Sequence, residues 1–168
     1  MRVGLRGMVR RVWAPRGVKV RQAVQLVYKW RYLSLAVDVL AGRLWWAWTE
    51  TMKGEELLSV VGGLAKDSNF QAIVWDRAPG HKLAQNYEVG LKLIEQPAYS
   101  PELNPAERVF EELRRAIEGR VYLSLDEKVQ AVEAELERFD ADPDRVRRLI
   151  GWDWITQTLE SLPQPLTP

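Results

Sequence analysis

Two acidic residues, Asp76 and Glu107, stand where carboxylates commonly act in enzymes. Asp76 ends the short apolar run 70–75, which is typical of a buried central strand. Glu107 falls in the first turn of a predicted helix, since Asn104 is a good N-cap and Pro105 is tolerated at the first helical position. Carboxylates from separate elements can converge on a hard cation such as Mg²⁺ at the end of a central strand. Taken singly, each acid also has a structural interpretation, as a strand cap or as a favourable charge at a helix N-terminus.

Composition restricts the chemistry that the chain can perform. The sequence contains no Cys and one His, His81, so a thiolate zinc site, a disulfide scaffold and a cysteine nucleophile are all excluded. Any metal chemistry must therefore rest on oxygen ligands from acidic residues. No apolar run approaches the roughly 18 residues needed to span a bilayer, and the Arg-rich start is not followed by an export signal. We therefore expect a cytoplasmic protein with no membrane partner.

Positive charge is concentrated near the N-terminus, where residues 1–37 contain no Asp or Glu. The basic residues of this segment are Arg2, Arg6, Arg10, Arg11, Arg16, Lys19, Arg21, Lys29 and Arg31. Four aromatic residues lie among them: Trp13, Tyr28, Trp30 and Tyr32. Unopposed positive charge with interspersed aromatic rings favours contact with a nucleic-acid backbone and stacking on bases. A solvated basic surface is the alternative.

The elements that must position these residues follow from hydrophobic periodicity and turn signals. The predicted strands are 18–28, 31–38, 44–49, 70–75 and 91–94, and the predicted helices are 54–66, 82–88, 105–118, 124–138 and 142–149. This order implies an α/β fold, a mixed sheet flanked by helices with a helical C-terminal extension. The chain of 168 residues fits a single domain, 1–168, that ends in the proline-containing tail 163–168.

Two strings of residues resemble a known family. Residues 74–81 read Val-Trp-Asp-Arg-Ala-Pro-Gly-His, and residues 99–110 read Tyr-Ser-Pro-Glu-Leu-Asn-Pro-Ala-Glu-Arg-Val-Phe. Together they resemble the catalytic domain of DDE-type transposases, the DDE superfamily endonucleases, and more narrowly the mariner-like bacterial insertion-sequence group. The resemblance also reaches residues 11–17, the hairpin that contains Asp38 and Gly42, and residues 151–154, so it covers most of the chain.

The resemblance implies a ribonuclease H-like fold in which three acids hold two Mg²⁺ or Mn²⁺ ions for in-line attack on DNA phosphodiesters. Asp76 matches the second acid, which bridges the ions, and Glu107 matches the third. His81 matches a recurrent histidine that shapes the site or contacts a phosphate, and a capping histidine at a helix start is the alternative. The implied partners are DNA, at transposon ends and at the target, and a second copy of the chain. The residues expected to contact DNA are Arg10, Arg11, Arg16, Arg77 and His81.

The sequence departs from the family pattern in three respects. The family's first acid lies just before the stretch that matches residues 2–5, and this sequence begins at Met1, so two of the three metal-binding acids are present unless Asp38 substitutes. Asp38 ends the predicted second strand and is expected to lie away from the metals. Arg77 takes the place of the usual Asn, and the helix-turn-helix modules of full transposases are missing. We therefore expect half of a split transposase, with the upstream half as a further partner.

Three hypotheses about function stay open at this point, and with them the question of whether this chain is an enzyme by itself. The first is a transposase catalytic domain that cleaves and joins DNA with divalent metal ions. The second is a catalytically dead DNA-binding or regulatory remnant of a split transposase. The third is a stand-alone ribonuclease or resolvase, which requires Asp38 or Glu50 to point at Asp76.

Overall fold

The computed structural model describes residues 1–7, 12–21, 23–67, 70, 72–76, 81 and 90–161. The strands of this described part are β1 (Arg2–Gly4), β2 (Trp30–Asp38), β3 (Arg43–Thr49), β4 (Ala72–Trp75) and β5 (Lys92–Glu95). Its helices are α1 (Gly54–Asp67), α2 (Pro105–Ile117), α3 (Leu125–Asp140), α4 (Pro143–Ile150) and α5 (Asp153–Glu160), and a 3-10 turn covers Pro101–Leu103. None of these helices is long and apolar enough to cross a membrane.

The strands combine antiparallel and parallel pairing, as the α/β prediction requires. β2 lies between β1 and β3 in an antiparallel sheet, with Leu35 opposite Trp46. β4 and β5 run parallel, with Trp75 opposite Glu95. The prediction of an α/β fold is confirmed, although in the described residues the strands form two sheets, antiparallel and parallel, in place of one mixed sheet.

The turn between β2 and β3 is closed by Asp38. Its side-chain Oδ1 accepts a hydrogen bond from the backbone N–H of Ala41 at 2.9 Å, and its carbonyl accepts from the N–H of Gly42 at 2.8 Å. Gly42 has φ +68°, and a Cβ at this position would lie 2.3 Å from the carbonyl oxygen of Pro143 at the start of α4. Glycine therefore satisfies both the backbone conformation and the close approach of the turn to α4.

Two groups of buried side chains hold the elements together. The first core joins the antiparallel sheet to α2, α3 and α4, and its fully buried members include Leu33, Val109, Leu113, Val132, Leu136 and Val146. The second core packs α1 onto β4 and β5 through Val61, Leu64, Trp75 and Leu91. Trp46 and Trp48 pack against the first core and Trp45 packs against the second. The hairpin β2–β3 is therefore a wall shared by both cores.

The predicted strand 18–28 is absent from the described residues of that range. We call residues 12–21 and 23–29 the arm, because this segment has no regular secondary structure and its apolar side chains are largely exposed. Near its end, Gly7 N–H donates to Gln25 O and Leu5 N–H donates to Lys29 O, so the arm leaves and rejoins the sheet beside β1. The alternating valines that predicted a strand therefore belong to an exposed segment without regular secondary structure.

The other predicted elements mostly match the structure to within a few residues. Helix α5 was not predicted, and its first turn begins after Trp152 without a side-chain N-cap hydrogen bond, so the usual start signal is missing. The predicted helix 82–88 lies outside the described residues.

Candidate active site

Asp76 and Glu107 line the same cavity, whose volume is about 370 Å³. The remaining lining residues are Gln96, Pro97, Ala98, Tyr99, Ser100, Pro101 and Asn104. Asp76 comes from the end of β4, Glu107 from the first turn of α2, and the segment between β5 and α2 forms the rest of the wall. The structure therefore brings the two acids together from separate elements.

Asp76 is placed by the parallel pairing of β4 with β5. The backbone N–H of Gln96 donates to the carbonyl of Trp75 at 2.8 Å, which extends the pairing to the last residue before Asp76. Trp75 is buried in the second core, so the strand end is fixed in position. The Asp76 residue itself is exposed, which leaves its carboxylate accessible from the cavity.

Glu107 is placed by the cap at the start of α2. The side chain of Asn104 accepts a hydrogen bond from the N–H of Ala106 at 3.0 Å, and Pro105 occupies the first helical position. Ala106 and Phe110 are buried in the first core, which fixes the rotation of the helix about its axis. Glu107 is consequently directed at the cavity from a helix that cannot turn without exposing apolar side chains.

His81 lies against Asp76. Its Nδ1 is 2.7 Å from the carbonyl oxygen of Asp76 and 2.9 Å from Oδ1 of the carboxylate, so Nδ1–H donates toward Asp76. Its ring stacks on Trp75 with 4.3 Å between ring centroids and an interplanar angle of 2°. The stack and the hydrogen bonds together orient both the imidazole and the carboxylate.

Arg114 is the cation closest to Glu107 among the ion pairs of the described residues. Its Nη2 lies 3.7 Å from Oε2 of Glu107. The amino group of Met1 donates to the carbonyl of Leu33 at 2.5 Å. Burial lowers the pKa of this amino group to about 6, while the negative charges of Glu107 and Asp76 oppose that shift. The charges of both acids therefore act on the N-terminus.

The other acids considered from sequence lie elsewhere. Asp38 is part of the β2–β3 turn, where its Oδ1 accepts from the N–H of Ala41. Glu50 accepts from Arg31 Nε at 3.0 Å. Neither acid lines the cavity that contains Asp76. The condition for a stand-alone ribonuclease or resolvase is therefore not met by the described residues.

Of the residues predicted to contact DNA, Arg16 and His81 can be placed. Arg16 is exposed in a turn of the arm that the N–H of Val18 closes by donating to Pro15 O at 3.1 Å. It does not line the cavity. Arg10, Arg11 and Arg77 lie outside the described residues.

The donor chemistry of the cavity suits a divalent cation. Mg²⁺ is commonly held by one or two carboxylates, with water and substrate phosphate oxygens completing its coordination. Asp76 and Glu107 match that requirement for one ion. Within the described ranges, no cluster of three or more His, Cys, Asp or Glu residues could hold a metal. The two-ion arrangement implied by the resemblance needs a further carboxylate beyond this pair.

Arg114 and Tyr99 have no role predicted from the sequence. Arg114 stands seven residues after Glu107, a spacing that places both on one face of a helix, so a signal was available. Tyr99 has φ +57°, and no sequence signal predicts a left-handed backbone at a tyrosine. Two basic residues of the first strand region also pair with aromatic rings: Arg2 lies over Trp30 at 5.4 Å and Arg6 lies over Tyr28 at 5.2 Å.

Comparison with known proteins gives a family and a fold. A family model described as DDE superfamily endonuclease matches residues 1–129. A solved structure, the Mos1 transposase paired-end complex with left transposon end, is similar with a TM-score of 0.66 and 15% sequence identity. The match covers 90% of this chain and 49% of that chain, so the chain spans about half the length of this relative. No curated protein sequence matches.

The structural likeness confirms the ribonuclease H-like α/β fold expected from the sequence. The family model covers well over half of the chain and includes Asp76 and Glu107. The chain therefore belongs to the DDE superfamily endonucleases.

Proposed function

We propose that the chain is a transposase catalytic domain that cleaves and joins DNA strands with a divalent metal bound at Asp76 and Glu107. The observation that carries the proposal is the convergence of these two acids, from β4 and α2, on one cavity. Membership of an endonuclease family supports phosphodiester cleavage. The similarity to a transposase solved with a transposon end supports DNA as the substrate.

The residues around the cavity would have different roles in such a reaction. Asp76 and Glu107 would hold Mg²⁺ or Mn²⁺, which when bound supplies polarisation of the phosphate and a more acidic water. His81 orients the Asp76 carboxylate through Nδ1–H. Asn104 fixes the start of α2 and thereby the direction of Glu107. Arg114 places a positive charge beside Glu107, where a DNA phosphate approaching the acids meets less repulsion.

The decisive experiment is nicking of supercoiled plasmid by the purified chain with Mn²⁺ or Mg²⁺. We expect Asp76→Asn and Glu107→Gln to lower the nicking rate by about 100-fold or more, because each removes a metal ligand while keeping the side-chain shape. Glu111→Gln is the matched control, since Glu111 lies one turn further along α2, pairs with Arg108 and does not line the cavity. Nicking that survives both ligand substitutions would contradict the proposal.

A catalytically inactive DNA-binding or regulatory remnant is the second candidate. It is favoured by the observation that no third acid joins Asp76 and Glu107 within the described residues. The same experiment separates the two functions when DNA binding is measured alongside it. Retention of plasmid without metal-dependent nicking would support the remnant, and loss of both would exclude both candidates.

The basic N-terminal part of the sequence supplies the proposed contacts outside the cavity. We propose that Arg10, Arg11 and Arg16 contact the DNA backbone, with Arg77 and His81 contacting DNA nearer the acids. We also propose that exposed apolar residues of the arm, such as Trp13 and Leu26, pack against a second copy of the chain. Light scattering after size-exclusion chromatography tests the second contact: a dimer that Trp13→Ser converts to monomer supports it, and a monomeric parent chain contradicts it.

A further inference from the structure

Tyr99 combines a disfavoured backbone with a fully exposed side chain. Its φ is +57°, and no other non-glycine residue in the described ranges has a positive φ. Its relative exposure is 101%, so the ring buries nothing within the chain. Glycine or asparagine would occupy this conformation at lower cost, and they expose no aromatic surface. The local fold therefore gains nothing from tyrosine at this position.

Hydrogen bonds on both sides hold Tyr99 in this conformation. Before it, Gln96 is buried and pairs through its backbone N–H with Trp75 O at 2.8 Å. After it, Ser100 Oγ donates to Ala98 O at 3.3 Å and the N–H of Leu103 donates to Ser100 O at 3.1 Å. Disfavoured backbone conformations of this kind persist when their surroundings fix them, and they cluster at functional sites.

Tyr99 also has a specific location, on the wall of the cavity that contains Asp76 and Glu107. We propose that its ring stacks on a DNA base adjacent to the phosphate held at these acids. The proposal rests on the proposed function, since it takes DNA as the ligand of the cavity. Stacking on an exposed ring tolerates every base, because each base has a π face. The contact therefore positions a strand of any sequence and does not select one.

The test separates the ring from the backbone by using three substitutions. Tyr99→Phe keeps the ring, Tyr99→Ala removes it, and Tyr99→Gly removes it while also relieving the backbone. The probe is a fluorescent DNA duplex with a short single-stranded 3′ extension, titrated in Ca²⁺, a hard cation that takes oxygen ligands. Denaturant midpoints are measured for each variant in parallel. Val121→Gly is the control, an exposed loop position outside the cavity without a positive φ.

We expect Tyr99→Ala and Tyr99→Gly to weaken binding of this probe by about 5- to 100-fold, and Tyr99→Phe to stay within about twofold. Tyr99→Gly should raise the denaturant midpoint, whereas Val121→Gly should lower it and leave DNA binding unchanged. A merely structural role for Tyr99 would not produce weaker binding in a more stable variant. A bromouracil placed in the extension should form a photo-crosslink at Tyr99.

Two results would overturn the inference, and they are distinguishable from failure of the proposed function. If the parent chain binds the probe and Tyr99→Ala binds equally well, the ring is not a DNA contact. If Tyr99→Phe binds as weakly as Tyr99→Ala, the hydroxyl and not the ring makes the contact. If the parent chain does not bind the probe at all, DNA is not its ligand, and the proposed function fails together with the inference.

Discussion

Asp76 and Glu107 are each held by a nitrogen-bearing side chain, but the two neighbours act differently. His81 donates to Asp76 through Nδ1 and orients the carboxylate. Arg114 brings a full positive charge to Glu107 at 3.7 Å. The His81 hydrogen bond favours binding of a metal cation at Asp76, whereas the Arg114 guanidinium competes with a metal cation for Glu107.

We predict that His81→Phe weakens Mn²⁺ binding by about 10-fold, because residues that orient a metal ligand typically contribute 10- to 100-fold to affinity. Phenylalanine keeps a ring that can stack on Trp75 and removes Nδ1, so packing is largely preserved. Calorimetric titration of the metal into the chain without DNA measures the effect. Unchanged Mn²⁺ affinity in His81→Phe would show that the hydrogen bond to Asp76 does not organise the ligand.

For removal of the Arg114 side chain we predict the opposite effect on Mn²⁺ affinity. Arg114→Ala should strengthen Mn²⁺ binding in the absence of DNA by about two- to fivefold, because it removes a partly exposed ion pair that competes for Glu107. The matched control is Arg115→Ala, since Arg115 pairs with Glu112 and does not contact the cavity acids. Equal metal affinities in the parent chain, Arg114→Ala and Arg115→Ala would exclude this competition.

At the scale of elements, a buried lysine fastens α3 to β1. Lys128 is 9% exposed, its Nζ donates to the carbonyl of Gly4 at 2.7 Å, and it lies over the ring of Tyr122 at 5.4 Å. Burial lowers the pKa of Lys128 from its ordinary value of 10.5. This contact therefore holds α3 against the end of β1.

We predict that Lys128→Ala lowers the free energy of unfolding by about 2 kcal/mol, because Gly4 O loses a charged donor. The pH dependence follows from the pKa: between the lowered folded value and 10.5, the unfolded chain binds more protons than the folded chain. The free energy of unfolding of the parent chain should therefore increase, through Lys128, as pH rises toward 10.5. Denaturant unfolding across this range should show that gain in the parent and not in Lys128→Met.

Sequence signals located the elements where the local residues carry the information. The start of α2 follows from Asn104 and Pro105, and the β2–β3 turn follows from Gly42. The arm could not be predicted in this way, because alternating valines indicate a strand only when another strand is available to cover them. Helix α5 lacks a side-chain N-cap, and its partly buried Ile155 and Leu159 pack against a core that distant residues build.

The candidate site was predictable to a similar degree. The motif strings and the topology of strand ends indicated that Asp76 and Glu107 would meet. The contact of Arg114 with Glu107 depends on a side-chain direction that spacing allows but does not require. The conformation of Tyr99 is imposed by hydrogen bonds on both sides of the loop, so residue type alone gives no indication of it.

At the scale of the whole molecule, the two cores differ greatly in size. Within the described residues, the first core contains sixteen buried residues and the second contains four. We predict that amides of β4 and β5 exchange with solvent at least about tenfold faster than those of α2 and α3, because a smaller core opens at a lower free energy. Hydrogen exchange followed by mass spectrometry measures this difference. Equal protection of both regions would show that the cores unfold as one unit.

The shared wall formed by β2 and β3 affects how tightly the cavity that contains Asp76 and Glu107 can bind a ligand. Asp76 directly follows a strand of the smaller core and Glu107 lies on a helix of the larger one, so a ligand that binds both acids is bound fully only while the two cores are packed together. The free energy of docking is therefore one component of the free energy of binding. Trp45, which faces the smaller core from the wall, can change the apparent affinity of the cavity without touching what is bound there. A ligand bound to both acids therefore links the two cores, and its affinity depends on how stably both cores pack against β2 and β3.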